Sequence, residues 1–396
     1  MRLAASLLAL LAAGAAHADD AMERGAPADR SLEERLKEKA RTVPGSDVQY
    51  LFAGYVQLDA LFTKKKLTGD EEDTFLASAI PFGDAGSDAR LGVRASQFNA
   101  LLYKPTAWGG VRALVQADLF AYEEGAKLNF TQAAVRFGEF LTVGKTYSTF
   151  MDDEGWPGTI DYNGPSGAVF ARQVVVRGSV PFGDKLRAEV AFEDPAAEAS
   201  AGGPNFSVSS AAERPDFVAR LRFAGERLHA QVAGLSRSVT YTAQAGTSAS
   251  RKVSGEGVSL SGALQIGEED RLLAQWNQGK GISRYFNDGV SSIGAVFDDG
   301  VRLEPLELTG WYLYYERQWA ARWKTVAGFS ELRTDSEGLR PAEDLTRLRY
   351  ASASLLHKLK PDFFVGAELL YGKAKRQDGV EASDSRLQIT ARYLIY

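Results

Sequence analysis

Six arginines recur on the polar sides of alternating segments: Arg90, Arg94, Arg112 and Arg136 early in the chain, Arg220 and Arg222 later, with Asp59 and Asp118 among them. A guanidinium offers a planar fork of donors to a carboxylate or phosphate and is more weakly hydrated than an ammonium. A row of them in a wet passage would hold an anion by contacts on the order of 1 kcal/mol each, which permits both entry and exit. The bland alternative is structural, each arginine pairing with an acid in a narrow space. A second group, Asp152, Asp153, Glu154 and Asp161, lies in one long loop between two alternating segments, within Val143 to Gln173. A loop of this length is uncommon without a role. Folded inward, its acids would oppose the arginines across a constriction; folded outward, they would be solvated surface. Trp156-Pro157-Gly158 and Gly164-Pro165 stiffen the loop and favour the inward course.

Other chemistries find little support. A hydrolase needs a nucleophile activated by a base. Past residue 18 the chain has only His229 and His357, with no G-x-S-x-G elbow, and His229 reads as polar filling of a lumen. The DDEG run at Asp152 lacks the spaced ligands of a calcium loop, so no metal site is assigned. Nothing calls for a cofactor. Lys plus Arg number 46 against 51 Asp plus Glu, with no basic tract, which argues against nucleic acid.

These side chains need a frame. From Phe52 to Tyr396 the chain repeats units of ~10 residues with period-two apolarity, the signature of outer-membrane strands. Val56, Leu58, Ala60 and Phe62 alternate with Tyr55, Gln57 and Asp59; Val111, Ala113, Val115 and Ala117 alternate with Arg112, Gln116 and Asp118. Short turns such as Pro181-Phe182-Gly183-Asp184 and Lys360-Pro361-Asp362 are interleaved with long polar connections at Lys64 to Asp88, Asp194 to Glu213 and Gly279 to Glu304. A barrel sorts turns and loops to opposite ends in this way, and a soluble sandwich has less reason to. The reading is all-β: a transmembrane antiparallel barrel of about sixteen strands, wide enough for an aqueous channel. Strand starts fall near residues 52, 89, 108, 127, 138, 169, 184, 214, 226, 253, 270, 305, 321, 346, 361 and 384. Around Glu304 to Tyr315 both faces are apolar. That fits a strand at a subunit interface with its lumenal side packed by a loop, or a misread register. Over the clearer strands the inward face adds Arg187, Arg386, Arg392, Glu189, Glu193 and Glu368, giving nine arginines against five acids.

Residues 1–18 read as a secretory leader: Arg2, an apolar run from Leu3 to Ala16 and the small-residue end Ala16-His17-Ala18. Losing Arg2 takes the net charge from −5 to −6, so the wall is cationic in an acidic protein. Cysteine is absent, in keeping with a periplasmic or outer-membrane address that does without disulfides. Residues 19–51 read as a periplasmic linker with a short amphipathic helix from Ser31 to Val43. Ser31 and Glu34 make a capping box, and Leu32, Leu36, Ala40 and Val43 share a face. That helix is either solvated or a short self-association seam. Residues 52–396 form the barrel, which ends on the aromatic Tyr396.

Five strings in order, GYVQLDALF (Gly54 to Phe62), DARLGVRAS (Asp88 to Ser96), GGVRALVQADLF (Gly109 to Phe120), VGKTYSTFMD (Val143 to Asp152) and FARQVVVRGSVPFGD (Phe170 to Asp184), resemble the DcaP-like outer-membrane porins. Lys145 and Tyr147 depart from the family pattern. The resemblance implies a homotrimeric channel among outer-membrane lipids, passing small hydrophilic solutes, with dicarboxylate-like anions as the class. The other readings are a structural or adhesive barrel with a plugged lumen, and an outer-membrane hydrolase.

Overall fold

Strands that alternate apolar and polar residues present one face to an apolar medium and the other to water, and in a membrane a sheet closed on itself does so with no free edge. A computed structural model of the chain describes residues 39–69, 73–107, 109–120, 127–195, 207–212, 214–245, 247–288, 295–298, 302–334 and 342–395. The strands of its wall are β1 (Gln49–Thr63), β2 in two segments (Asp88–Gly92 and Gln97–Thr106), β3 (Gly109–Asp118), β4 (Asn129–Phe137), β5 (Leu141–Tyr147), β6 (Arg172–Phe182), β7 (Leu186–Glu193) and β8 in two segments (Ser207–Ala212 and Asp216–Ala224). They continue as β9 (Leu228–Ala245), β10 (Thr247–Ile266), β11 (Asp270–Lys280), β12 (Glu307–Ala320), β13 (Trp323–Thr334), β14 (Leu345–Lys360), β15 (Phe363–Arg376) and β16 (Glu381–Ile395). Each pairs antiparallel with the next, and β16 returns to β1 from Gly54↔Ile395 to Thr63↔Arg386. The sixteen strands close into a barrel.

Val56, Leu58 and Phe62 point outward, while Gln57 and Asp59 are buried inside. Every expected strand start falls at or near an observed strand. The widest departures are β8, whose first segment begins at Ser207 rather than 214, and β10, which begins at Thr247 rather than 253, because the β9–β10 ribbon continues to Ala245↔Thr247. That extension, SVTYTAQAGTSASRK, has little apolar alternation, so the pattern that betrays the other strands is missing from it.

Two expectations are corrected. The expected helix from Ser31 lies mostly in residues outside those described, as do the leader and most of the linker; Lys39 is helical, but the helix ends before the expected Val43. Arg41–Thr42 instead pairs with Tyr50 and Gln49 of β1. Pro44-Gly45 turns the chain, with Gly45 at φ 76° and Ser46 N–H donating to Val43 O at 3.1 Å. The long connections 64–87 and 281–306 are not merely polar exterior. Phe75, Ala77, Ile80, Ile282, Tyr285, Phe286 and Leu306 are buried within the barrel, because apolar residues at these positions need cover that water cannot give.

Candidate pore constriction

β5 ends where the wall pulls the chain inward. Glu193 of β7 accepts from Ser148 Oγ at 2.7 Å and Thr149 N–H at 2.6 Å. From there residues 148–171 cross the lumen, and wall groups satisfy their backbone. Arg220 donates to Met151 O at 3.1 Å, Tyr312 to Gly155 O at 2.7 Å, and Arg271 to Glu154 O at 2.8 Å. Glu316 accepts from Gly158 N–H at 2.8 Å, Glu368 from Ile160 and Asp161 N–H at 2.9 and 2.7 Å, and Ser330 from Gly167 N–H at 2.7 Å. The loop folds inward and lines the wall from β7 round to β15. This explains the doubly apolar stretch of β12: Tyr312 and Tyr314 face in and are covered by the loop, while Leu313 and Tyr315 face out.

Two other inner segments are fastened to the loop by carboxylates. Asp161 accepts from Phe75 N–H at 3.0 Å, Gly164 N–H at 3.0 Å and Tyr350 OH at 3.1 Å. Asp288 accepts from Ala77 N–H at 2.9 Å and Ser166 Oγ at 2.7 Å, and from Ser78 Oγ. Burial pushes Asp161 up to about 6, against the pull of Arg386 and of the donors from Gly164, Phe75 and Tyr350. Burial also raises Asp288.

The loop acids meet cations in contact rather than across open water. Asp153 and Glu154 lie 2.7 and 3.3 Å from Arg222, with Asp152 at 3.6 Å. Asp152 also meets His229 Nε2 at 2.8 Å and Ser261 Oγ at 2.7 Å. Burial alone would raise Asp152, but the hydrogen bond and charge of His229 together with Arg222 hold it well below the usual range. Burial likewise opposes, and Arg222 and Arg220 outweigh, in holding Asp153 low. Asp161 differs from these three in its role: its hydrogen bonds from Phe75, Gly164 and Tyr350 make it a fastener between segments.

The four early arginines do not form one ladder. Arg112 and Arg136 are direct cross-strand partners, and both reach Glu139 in the turn after β4, Arg112 at 3.3 Å; Arg187 of β7 joins them at 2.8 Å. Arg90 pairs with Asp88 at 2.6 Å, near Asp73, and Arg94 lies over Phe120 with 4.9 Å to the ring centroid. The cause is the break in β2 at 93–96, which leaves Arg94 beyond the end of β3, where its carbonyl accepts from Leu119 N–H. Arg90 and Arg94 therefore sit toward the long-loop end, and Arg112 and Arg136 toward the short turns. The acids of the first strands are internally satisfied. Asp59 accepts from Gln57 and from Gln388, the latter at 3.1 Å, and Asp118 from Asn129 at 3.0 Å and from Tyr162 OH.

Between the Glu139 cluster and the loop lies a cavity of about 360 Å³. Its lining carries Arg112, Arg136, Arg177, Lys185, Arg187, Arg220 and Arg222 against Glu139, Asp153, Glu154, Asp184 and Glu189, a surplus of two positive charges. Arg177 was not among the candidates, since apolar Val175 beside it on the inner face blurs the alternation of VVVRGSV. It donates to Thr149 Oγ1 at 2.8 Å and to Tyr147 O, holding the root of the loop. Arg220 pairs with Glu189 below it.

The family model for the DcaP outer membrane protein matches residues 38–395. The chain belongs to this family. Among solved structures, the outer membrane channel DcaP of Acinetobacter baumannii aligns at a TM-score of 0.78 and 16% identity, over 90% of this chain and 99% of that one. OmpT, an outer membrane protein of Vibrio cholerae, in its loop L8 deletion form, aligns at 0.55 and 12% identity over 88% and 100%. OmpF of Salmonella typhi, in complex with daunomycin, aligns at 0.54 and 8% over 89% and 99%. At these identities the likenesses speak for the fold. A search of curated proteins finds no match. Family and fold together place this chain among the outer-membrane channels.

Proposed function

We propose that this protein is a passive diffusion channel that prefers small anions, dicarboxylates among them. The carrying observation is the convergence of Arg112, Arg136 and Arg187 on the single carboxylate of Glu139, at the edge of a cavity with surplus positive charge. The loop fills the β7–β15 side of the lumen, so solutes pass on the other side, where guanidinium forks meet them weakly. The decisive measurement is the reversal potential of purified protein in a planar bilayer under a salt gradient. Anion preference is expected; cation preference sinks the reading. The packing of three inner segments into one apolar cluster favours a second reading, a barrel closed by its own loops. Absence of conducting steps would select it.

A trimer fits the wall. β5 has seven residues, which in a tilted strand climb roughly 18 Å, short of the ~25 Å apolar band of an outer-membrane barrel. On the outward face of that low wall Lys145, cross-strand to Ala133 and Val174, donates to Phe130 O at 2.8 Å. A cation at mid-height is costly against lipid, and a neighbouring subunit covering β3–β6 removes that cost. Hydrolysis has no support in the site: Ser261 donates to Asp152 rather than to His229, which leaves no base-activated nucleophile there.

A further inference from the structure

We propose that the outer surface of β13–β16 binds the phosphate groups of a phosphorylated lipid headgroup in the outer leaflet. At the short-turn end, Trp323 stacks on its cross-strand partner His357 with ring centroids 4.0 Å apart, and Phe363 meets its partner Tyr393 at 6.4 Å. These rings mark one membrane interface. Ten residues further along the same strands stand Arg333, Arg347 and Lys373. Ten residues of tilted strand climb roughly 25 Å, the height of the apolar band, so this row lies at the opposite interface, on the long-loop side. Phe329, Leu355, Leu369 and Ile389 fill the outward face between the two levels.

The register gathers the cations. Arg333 is paired with Arg347 and Arg347 with Lys375; Arg349 is paired with Lys373 one step below. All five point outward, alternating with the inward Leu332, Leu348, Tyr350 and Ala374. Like charges placed directly opposite one another on a sheet repel. On these strands two outward acids relieve them: Glu331, 2.8 Å from Arg349 and 3.8 Å from Arg347, and Glu381, 2.7 Å from Lys373. Five outward cations drawn together by the register at headgroup height suit a ligand with more than one phosphate, whose acyl chains would lie on the apolar face beneath.

The test is native mass spectrometry of the full detergent-purified protein titrated with bisphosphorylated lipid A, its dephosphorylated form and inorganic phosphate. The wild type is expected to retain the bisphosphorylated lipid at least tenfold more tightly than the dephosphorylated one. The combined Arg333→Gln, Arg347→Gln and Lys375→Gln variant, which keeps the Arg349–Glu331 and Lys373–Glu381 pairs, should lose about tenfold. Lys375→Gln alone, the milder change should the triple fail to fold, should lose about threefold, and Arg322→Gln in a short turn should lose nothing. Equal retention of both lipids, unchanged binding in the Gln variants, or equal loss in Arg322→Gln would overturn the proposal. So would inorganic phosphate displacing the lipid at equal concentration, which would assign the cluster to the free ion.

Discussion

Arg112 and Arg136 stand directly opposite one another on β3 and β4, and both reach the carboxylate of Glu139. Facing guanidinium groups repel, so Glu139 is what permits the pair. Burial would raise its carboxyl, but Arg136, Arg187 and Arg112 hold it below the usual range. Glu139→Gln should shift the reversal potential further toward anions, while Arg112→Glu with Arg136→Glu should shift it toward cations. The stability cost of Glu139→Gln should be modest, about 1 kcal/mol, because the side chain is half exposed. Bilayer recording and urea midpoints read the two effects separately.

Arg222 gathers Asp152, Asp153 and Glu154 in one place, and Asp152 and Asp153 are held in their charged form there. Arg222→Ala strands buried carboxylates and should cost on the order of 3 kcal/mol. The loop should loosen, with larger and noisier single-channel currents. Currents and a thermal midpoint identical to wild type would mean the loop is anchored by its backbone bonds alone.

Asp161 supplies a pH dependence of unusual sign. Its carboxyl is raised to about 6 in the folded protein, above the ordinary value near 4, so between these limits the folded state binds more protons than the unfolded. Its contribution to stability therefore falls as pH rises from about 4 to about 6 and is flat above that. Asp152, whose carboxyl is lowered, acts oppositely: its contribution is present above the ordinary value and fades in stronger acid. Unfolding midpoints of wild type and Asp161→Asn across pH 4 to 8 should converge in slope only above about 6. Parallel curves throughout would remove Asp161 as the source.

Gly167 sits where the loop touches the wall. A Cβ there would come within 2.2 Å of Glu331 O and 2.7 Å of Trp311 N, both backbone atoms that cannot swing aside. Gly167→Val should lift this part of the loop and raise conductance, at a cost of roughly 1–3 kcal/mol for the overpacking. Protease accessibility near Trp156 checks the displacement.

The barrel was legible because lipid enforces alternation. Val56 to Phe62, Val111 to Ala117 and Leu387 to Ile395 declare their faces without any partner in view. The interior was less legible, because nothing local says which loop turns in. Trp156 and the prolines pointed to 148–168, but Phe75 and Ile80, or Tyr285 and Phe286, lie in segments whose polar neighbours make them read as exterior. The arginine row of Arg90, Arg94, Arg112 and Arg136 divided because height along a strand depends on the break at 93–96, which leaves no periodic mark. Three of the four loop acids meet basic partners; Asp161 went to Phe75 N–H, a backbone partner that no charge pattern reveals.

The loop that narrows the lumen has its anchors far away along the chain. Asp161 N–H reaches Glu368, 207 residues on, and Gly167 N–H reaches Ser330, 163 residues on. Contacts between such distant residues form late. During biogenesis these two anchors become available only once β13 and β15 have been laid down. The narrowing of the lumen therefore waits on the last quarter of the wall, although the loop that does it is made in the first half of the chain.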